Sequence, residues 1–468
     1  MHSLTVNNLT FKYQPDAPIF ENVNIALPLN QFNVLVGPSG SGKSTLLKII
    51  AGLYPQFGGN LISGNITIDG INLSTNQHQI AMLFQNPNQQ FTMDTPRNEL
   101  IFVLENLQVK PSEMNARITE SLNFVDCTEL ADQNFNTLSG GEKQKVALAV
   151  IVAMDSSVIL LDEPFASIDP GARNHLLAKL TELRDKHHKT IILAEHDLHG
   201  YQEIADQVFQ INPGDSNIVA LTQDAKKKLF SQFKPITMTT RIKLPSEYDQ
   251  PVITLDHFHL TQQNKTLLEQ SKFTFFKNKI TLITGENGIG KSTLFNAIIK
   301  LTPYQGKILV SGHDVKSMKQ KKLTRQVGLV FQEAENQFMA ITVAEEIELS
   351  KKHRLTTYFT DQLIKDSLSR LNLSDRLDQV VYSLSEGQKK KLQILLMLIS
   401  GQQILLLDEP LRGLDIDSLA AVLVLIKKAS LAQQQTVIMI SHQLTDLAKW
   451  IDYHVLFAQQ QLSYQEVL

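Results

Sequence analysis

One loop pattern, present twice, limits what this chain can become. Gly37-Pro38-Ser39-Gly40-Ser41-Gly42-Lys43-Ser44-Thr45 and Gly285-Glu286-Asn287-Gly288-Ile289-Gly290-Lys291-Ser292-Thr293 both read G-x-x-x-x-G-K-[ST]. Each follows an apolar run, 32–36 or 280–284, that reads as a buried strand, and each opens helical periodicity, over 46–53 or 294–301. Strand, loop and helix in that order cradle a phosphate chain. Glycines at Gly37, Gly40 and Gly42, and at Gly285, Gly288 and Gly290, let the backbone wrap with its N–H groups inward, at the positive end of a helix dipole. Ser39, Thr45, Asn287 and Thr293 complete the two loops. Lys43 and Lys291 would reach β- and γ-phosphates, and Ser44 and Ser292 would offer hydroxyls to Mg²⁺. Two nucleotide sites are expected.

The landmarks after the first loop recur after the second, displaced by about 246–248 residues, which marks a tandem duplication. The strand-like runs 80–84 and 327–331 end in Gln85 and Gln332, at the strand end where ligands gather in α/β sheets. Leu138-Ser139-Gly140-Gly141-Glu142 opens a helix: Ser139 is a natural cap, and the glycines leave N–H groups open to an anion. Its counterpart is Leu384-Ser385-Glu386-Gly387-Gln388. Two further apolar runs end in Asp162-Glu163-Pro164 and Asp408-Glu409-Pro410. One carboxylate of such a pair can hold Mg²⁺ while the next polarises a water. Turns carrying Asp169 and Asp415 come next, then strands delivering His196 and His442, each able to contact a γ-phosphate. Alternation over 1–29 suggests an antiparallel sheet, and 96–136 reads as an inserted helical segment. Tyr13, at the far end of that sheet, can stack on adenine, a contact of roughly 1–3 kcal/mol.

A chain of 468 residues suits two domains, expected at 1–225 and 251–468. Between them, 226–250 carries Lys226-Lys227-Lys228, Pro235 and Pro245 and reads as a linker or short hairpin with a solvated basic face. A net charge of −3 without a long basic block gives no electrostatic footprint for nucleic acid. The single cysteine, Cys127, cannot form an internal disulfide; it reads as a buried filler in a reducing cytosol. The N-terminus has neither a basic nor an apolar leader region, and the longest apolar stretches fall short of the ~18–20 residues a bilayer span needs. Any membrane role would come through a partner.

Phosphate loop, strand-end glutamine, L-S-G-G-type stretch, paired carboxylates, aspartate turn and histidine, in that order and twice, resemble an ATP-binding cassette (ABC) ATPase. The resemblance implies an α/β fold: two tandem P-loop NTPase domains, each a RecA-like core with an antiparallel β subdomain and an inserted helical subdomain. It implies ATP and Mg²⁺ as ligands and halves that pack head to tail. One site would then use Lys43, Ser44, Gln85, Asp162, Glu163 and His196, closed by Ser385 to Gly387. The other would use Lys291, Ser292, Gln332, Asp408, Glu409 and His442, closed by Ser139, Gly140 and Gly141. Glu163 and Glu409 would orient the attacking water. Asp162 and Asp408 would hold Mg²⁺ with the serines and glutamines, and Asp169 and Asp415 would couple the sites.

A narrower resemblance lies just after each glutamine. Gln85-Asn86-Pro87-Asn88-Gln89-Gln90-Phe91, and more loosely Gln332 to Phe338, look like the Q-x-P-x-x-Q stretch of energy-coupling factor (ECF) importers of vitamins and metal ions. Both ATPases fused in one chain is similar to thiamine-precursor importers and also to some cobalt-type ones. This implies a membrane scaffold (T-type) subunit, a substrate-capture (S-type) subunit and a peripheral position on the cytoplasmic face. Tandem ABC proteins that act on ribosomes, and the ATPase of another kind of ABC transporter, are the competing classes. Two departures stand out. Glu386 replaces a glycine and should point away from a γ-phosphate or weaken the Lys43 site. The counterpart of Tyr13 falls near Leu260, where Phe258 or His259 would have to substitute.

Overall fold

The computed structural model describes residues 2–14, 17–38, 40–73, 79–84, 90–165, 170–195, 198–212, 214–231, 233, 240–262, 265–441 and 447–468. The chain divides into two compact units, Met1–Pro235 and Ile236–Leu468.

In the first unit the apolar runs become five parallel strands in the order Ile80–Leu83, Val158–Asp162, Thr190–Ala194, Phe32–Val36 and Gln207–Gln210. Parallel strands need crossovers, and the crossover helices cover both faces, so central strands are apolar at consecutive positions. Alternation still decides which layer each residue enters. Phe32, Val34, Ile159, Leu161, Ile191 and Leu193 join one core with the helices Gly140–Met154 and Pro170–His187. Leu35, Val158, Leu160, Ile192 and Ala194 join the other, with the phosphate-loop helix Lys43–Ile50 and the antiparallel sheet. That sheet pairs Ser3–Gln14 with Ala17–Pro28 and Asn60–Ile68, as the alternation over 1–29 expects. The inserted segment supplies the helices Pro96–Asn106 and Pro111–Phe124, each with a proline in its first turn, where no N–H is missed.

The second unit repeats the order: Val327–Val330, Ile404–Asp408, Thr436–Ile440, Ile280–Thr284 and Tyr453–Ala458, with Gln461–Gln465 added antiparallel at the edge. Its strands split their residues between two layers in the same way, Leu405 and Leu407 to one core and Ile404 and Leu406 to the other.

The stretch 226–250 takes up structure at both ends. The helix Gln223–Ser231 carries the basic triplet and buries Phe230 in the first unit's core. Lys226 does not belong to a solvated face: its ammonium donates to the carbonyls of Ala205 and Asp206, while Lys227 and Lys228 stay exposed. At the other end Ile242 enters the second unit's core, and its N–H bonds the Glu466 carbonyl at 2.7 Å. Cys127 lies wholly inside the first core, and burial pushes its thiol up to about 12, so it is a packing residue.

Each phosphate loop begins beneath the end of a neighbouring strand. A Cβ on Gly37 would lie 2.2 Å from the Ile211 carbonyl oxygen, and one on Gly285 would lie 2.3 Å from that of Phe457. A side chain cannot enter without moving backbone. Gly285→Ala should therefore destabilise the chain by about 1–3 kcal/mol, read as a lower midpoint in urea unfolding. An unchanged midpoint would show that the loop gives way freely.

Candidate nucleotide-binding and hydrolysis sites

Because the core strands are parallel, their carboxyl ends share one edge of each sheet, and the predicted residues collect there. The phosphate-loop helices Lys43–Ile50 and Lys291–Ile298 start from Gly42 at φ +96° and Gly290 at φ +113°, left-handed values that favour glycine. Neither helix receives a side-chain cap among the described residues. Its first-turn N–H groups are thus open to an anion, with the helix dipole behind them. Lys43 Nζ donates to the Gly37 and Pro38 carbonyls at 2.8 and 3.2 Å. Lys291 Nζ does the same to Gly285 and Glu286, both at 2.8 Å. Both ammonium groups are nearly buried and held against the loops.

Ser44 Oγ donates to Asp162 Oδ1 at 2.8 Å. Burial pushes the Asp162 carboxyl up to about 6, neighbouring Glu163 adds to the rise, and the Ser44 bond with Lys48 and Lys43 opposes it. Asp408 repeats this: burial raises it, and the hydrogen bond from Ser292 with nearby Lys390 and Lys291 lowers it. Asp408 Oδ1 is buried with no hydrogen-bond partner among the described residues. A buried carboxylate oxygen lacking a donor, beside a hydroxyl, is a set of hard oxygen ligands that fits Mg²⁺. The glutamates next in the chain adopt positive φ, +46° at Glu163 and +47° at Glu409. Their N–H groups are anchored on the next strand, to Ala194 at 2.9 Å and Ile440 at 3.1 Å. A positive φ is uncommon for a residue with a side chain, and finding it at the same place in both units marks a position held for its chemistry.

The helices opened by Ser139 and Ser385 close on themselves at the tip. Ser139 accepts from the Glu142 N–H while Glu142 accepts from Ser139. Ser385 and Gln388 form the same reciprocal cap. Gly140 is exposed and Gly141 partly so, whereas Gly387 is buried. Glu386 is drawn back along its own helix to Lys389, 3.2 Å away. Asp415 caps the helix Ile416–Gln433 through the Ser418 N–H at 2.7 Å. Tyr13 reaches the phosphate-loop helix, its hydroxyl 3.0 Å from that of Thr45, and its ring stands edge-on to Phe11 and Tyr54. In the second unit Leu260 is fully buried, and Phe258 does not take Tyr13's place: its ring is turned into the core against Tyr304 at 5.3 Å. His259 is partly buried.

Lys43, Ser44, Asp162 and Glu163 therefore gather in one unit, and Lys291, Ser292, Asp408 and Glu409 in the other. Ser39, Gln85, Asp169, His196 and His442 lie outside the described residues, as does the stretch 86–89. Gln332 is described, and its carbonyl is held at 2.8 Å by Lys390, a residue that motif and spacing do not single out. A signal exists nonetheless: three consecutive lysines, Lys389 to Lys391, sweep about 200° around a helix and cannot share one solvated face.

A family model described as ABC transporter matches residues 20–166 and 268–412, spanning both phosphate loops and both paired carboxylates. A Bacillus subtilis (strain 168) protein, provisionally named as HMP/thiamine import ATP-binding protein YkoD, is 29% identical over 490 residues, 96% of this chain and 88% of its own length. A Methanosarcina acetivorans protein provisionally named as an ABC transporter ATP-binding protein is 28% identical over 460 residues, covering 94% of this chain and 86% of its own. Among solved structures, a model of ribosome-bound archaeal Pelota and ABCE1 gives a TM-score of 0.71 at 19% identity, covering 98% of this chain and 78% of that one. RNase-L Inhibitor gives 0.62 at 19% identity, covering 99% and 90%. At that identity the likeness is one of fold.

The raised Asp162 carboxyl sets a pH dependence. A carboxyl whose folded value lies above its unfolded one contributes stability at low pH that is lost as pH rises through about 6. Since one pKa unit is about 1.4 kcal/mol, the metal-free chain should lose about 1 kcal/mol of Asp162-linked stability between about pH 5 and pH 8. Asp162→Asn should flatten that slope and, if Asp162 holds Mg²⁺, should remove any stabilisation that Mg²⁺ adds in the presence of ATP. Thermal unfolding across this range, with and without Mg²⁺ and ATP, checks both. Parallel pH slopes for parent and variant would contradict the assignment.

Proposed function

This chain belongs to the ABC transporter family, and from that premise we propose that its two ATPase units energise import of a vitamin or metal ion through separate membrane subunits. The observation that carries the hydrolytic part is the buried serine–aspartate pair with a strained glutamate next to it, built twice. The units would pair head to tail. The Lys43 site would be closed by Ser385 and Gly387, and the Lys291 site by Ser139, Gly140 and Gly141. Lys43 and Lys291 neutralise β- and γ-phosphate oxygens, with the loop N–H groups of Gly37 to Thr45 and Gly285 to Thr293 around them. Tyr13 flanks adenine in the Lys43 site.

Ser44, Gln85 and Asp162 would hold Mg²⁺ in one site, and Ser292, Gln332 and Asp408 in the other. Bound Mg²⁺ supplies positive charge at the phosphate oxygens. Glu163 and Glu409 orient the attacking water and take its proton, and His196 and His442 steady the γ-phosphate. Asp169 and Asp415 couple the sites. Binding of ATP draws the units together, and loss of the γ-phosphate lets them part.

Import is supported by the similarity to the Bacillus subtilis protein along nearly the full chain. It is also supported by a surface beside the Gln332 loop. There Met339, Ile341, Val380 and Tyr382 are exposed, and the Val381 N–H bonds the Ile341 carbonyl at 2.9 Å. The corresponding backbone bond in the first unit runs from Phe135 to Asp94, and its neighbours Asn134 and Asn136 are polar. The second unit thus offers the apolar docking face for a membrane scaffold subunit, with a substrate-capture subunit beyond it, on the cytoplasmic side. Among the described residues no helix is long and apolar enough to cross a membrane, so such partners would carry the spans.

Glu163→Gln with Glu409→Gln should lower ATP turnover by about 10²-fold or more, as expected for loss of a general base, while ATP binding persists. Substantial turnover in that double variant would defeat the role. Pull-down of the tagged chain from detergent-solubilised membranes should bring down polytopic membrane proteins. Tyr382→Glu should weaken that capture without lowering the isolated chain's ATPase activity. Ribosomal RNA in place of membrane subunits would favour the ribosome-acting class instead.

A further inference from the structure

We propose that Lys390 is a positioning residue for Gln332, and that it makes the two sites unequal in their demand for Mg²⁺. The proposal rests on the metal-binding role given to Gln332 under the import reading.

Lys390 is 4% exposed, and its Nζ donates to the carbonyls of Phe331 and Gln332 at 3.1 and 2.8 Å. From the next turn of the same helix, Gln393 Nε2 donates to the Phe331 carbonyl at 3.0 Å and to Gln337 Oε1 at 2.8 Å. Gln337 Oε1 in turn accepts the Phe331 N–H at 3.4 Å. Two ion pairs hold the rest of the loop: Arg412 with Glu333 at 3.3 Å, and Lys389 with Glu335. The backbone on either side of Gln332 is thus tied to the Ser385 helix by a cation and an amide, and the Glu333 side chain is held by a guanidinium from the turn after the paired carboxylates. Burying an ammonium is costly unless fixed acceptors surround it. Here those acceptors are the carbonyls that set where Gln332 begins. Outer-shell groups of this kind orient the ligand that touches the metal.

At the matching positions the first unit keeps only the lysine of Lys389, as Lys143. Gln144 stands for Lys390, Ala147 for Gln393, Ala166 for Arg412, Asn86 for Glu333 and Asn88 for Glu335. Gln144 is buried, and its Nε2 has no partner among the described residues. A shorter neutral amide cannot give two charge-assisted bonds to successive carbonyls. Gln332 therefore starts from a backbone held by a buried cation, and the first unit has the neutral Gln144 at that cation's position. The Lys291 site should fill with Mg²⁺ at lower concentration than the Lys43 site.

The test uses the full chain with Lys43→Ala, so that a fluorescent ATP analogue reports on the Lys291 site, and titrates Mg²⁺. Lys390→Gln should raise the half-saturating Mg²⁺ concentration by about tenfold, within the range seen for outer-shell changes. Affinity for the analogue without Mg²⁺ should stay within about twofold, and Lys390→Arg should recover most of the loss. A Mg²⁺ requirement unmoved by Lys390→Gln would overturn the proposal. So would a parent without Mg²⁺ dependence, or a parallel loss of metal-free affinity. Should Lys390→Gln fail to fold, Gln144→Lys with Lys291→Ala decides: a lower Mg²⁺ requirement at the Lys43 site supports the proposal, and an unchanged one overturns it. No membrane partner enters this assay, so its outcome is separable from that of the import reading.

Discussion

A carboxylate kept dry at the edge of a parallel sheet, against a hydroxyl at a helix N-terminus, is the interaction both units are arranged to hold. Asp162 and Asp408 end strands buried on both faces, so water cannot stabilise their charge. What stabilises it is local: the Ser44 or Ser292 hydroxyl, the lysine of the loop, and the positive end of the phosphate-loop helix. That helix can be there only because Gly42 and Gly290 turn the chain in a left-handed conformation. Gly37 and Gly285 must also pass beneath a strand end where no side chain fits. Sheet order, glycine placement and carboxylate burial are therefore one requirement. The strained glutamate beside each aspartate adds to the cost, which is the usual mark of a site selected for chemistry over stability.

Much of this was legible in the chain itself, for a physical reason. Strands covered on both faces are apolar at consecutive positions, so 158–161, 191–194, 404–407 and 437–440 stand out without any partner being known. Their carboxyl ends then fall on one edge by topology, and Asp162, Glu163, Asp408 and Glu409 had nowhere else to go. Other features depended on packing that local pattern does not encode. Phe258 alternates with Leu260 as an aromatic platform residue would, yet it is buried against Tyr304. Polar, proline-bearing composition over 226–250 suggests a free connector, although Phe230 and Ile242 are each absorbed into a core. Lysine is read as a surface residue by default, which hides Lys390 until a helix and two carbonyls are seen around it.

The two units have diverged around a shared frame in opposite senses. Around the first phosphate loop lie aromatic rings, Phe11, Tyr13 and Tyr54, with Tyr13 hydrogen-bonded to Thr45. The second has Leu260 closed into its core instead, and charge concentrated under its glutamine loop. One unit concentrates aromatic rings there, the other ion pairs and exposed apolar side chains. Duplication alone would leave these features balanced. Their separation implies that the copies came under different demands while the strand order and the serine–aspartate pair stayed common to both.

The helix Glu386–Ser400 is where those demands meet. Its tip is capped by Ser385 and Gln388, its second and third turns fix the Gln332 loop through Lys390 and Gln393, and its apolar face is built into the unit's main core. A helix of 15 residues with most of its length buried moves as a rigid rod of about 22 Å. A push on the exposed apolar surface beside the Gln332 loop would therefore reach the serine-led tip without any further joint. The charge-tied loop supplies the stiffness such a lever needs, and at the matching positions the first unit keeps Lys143 but has the neutral Gln144 and Ala147.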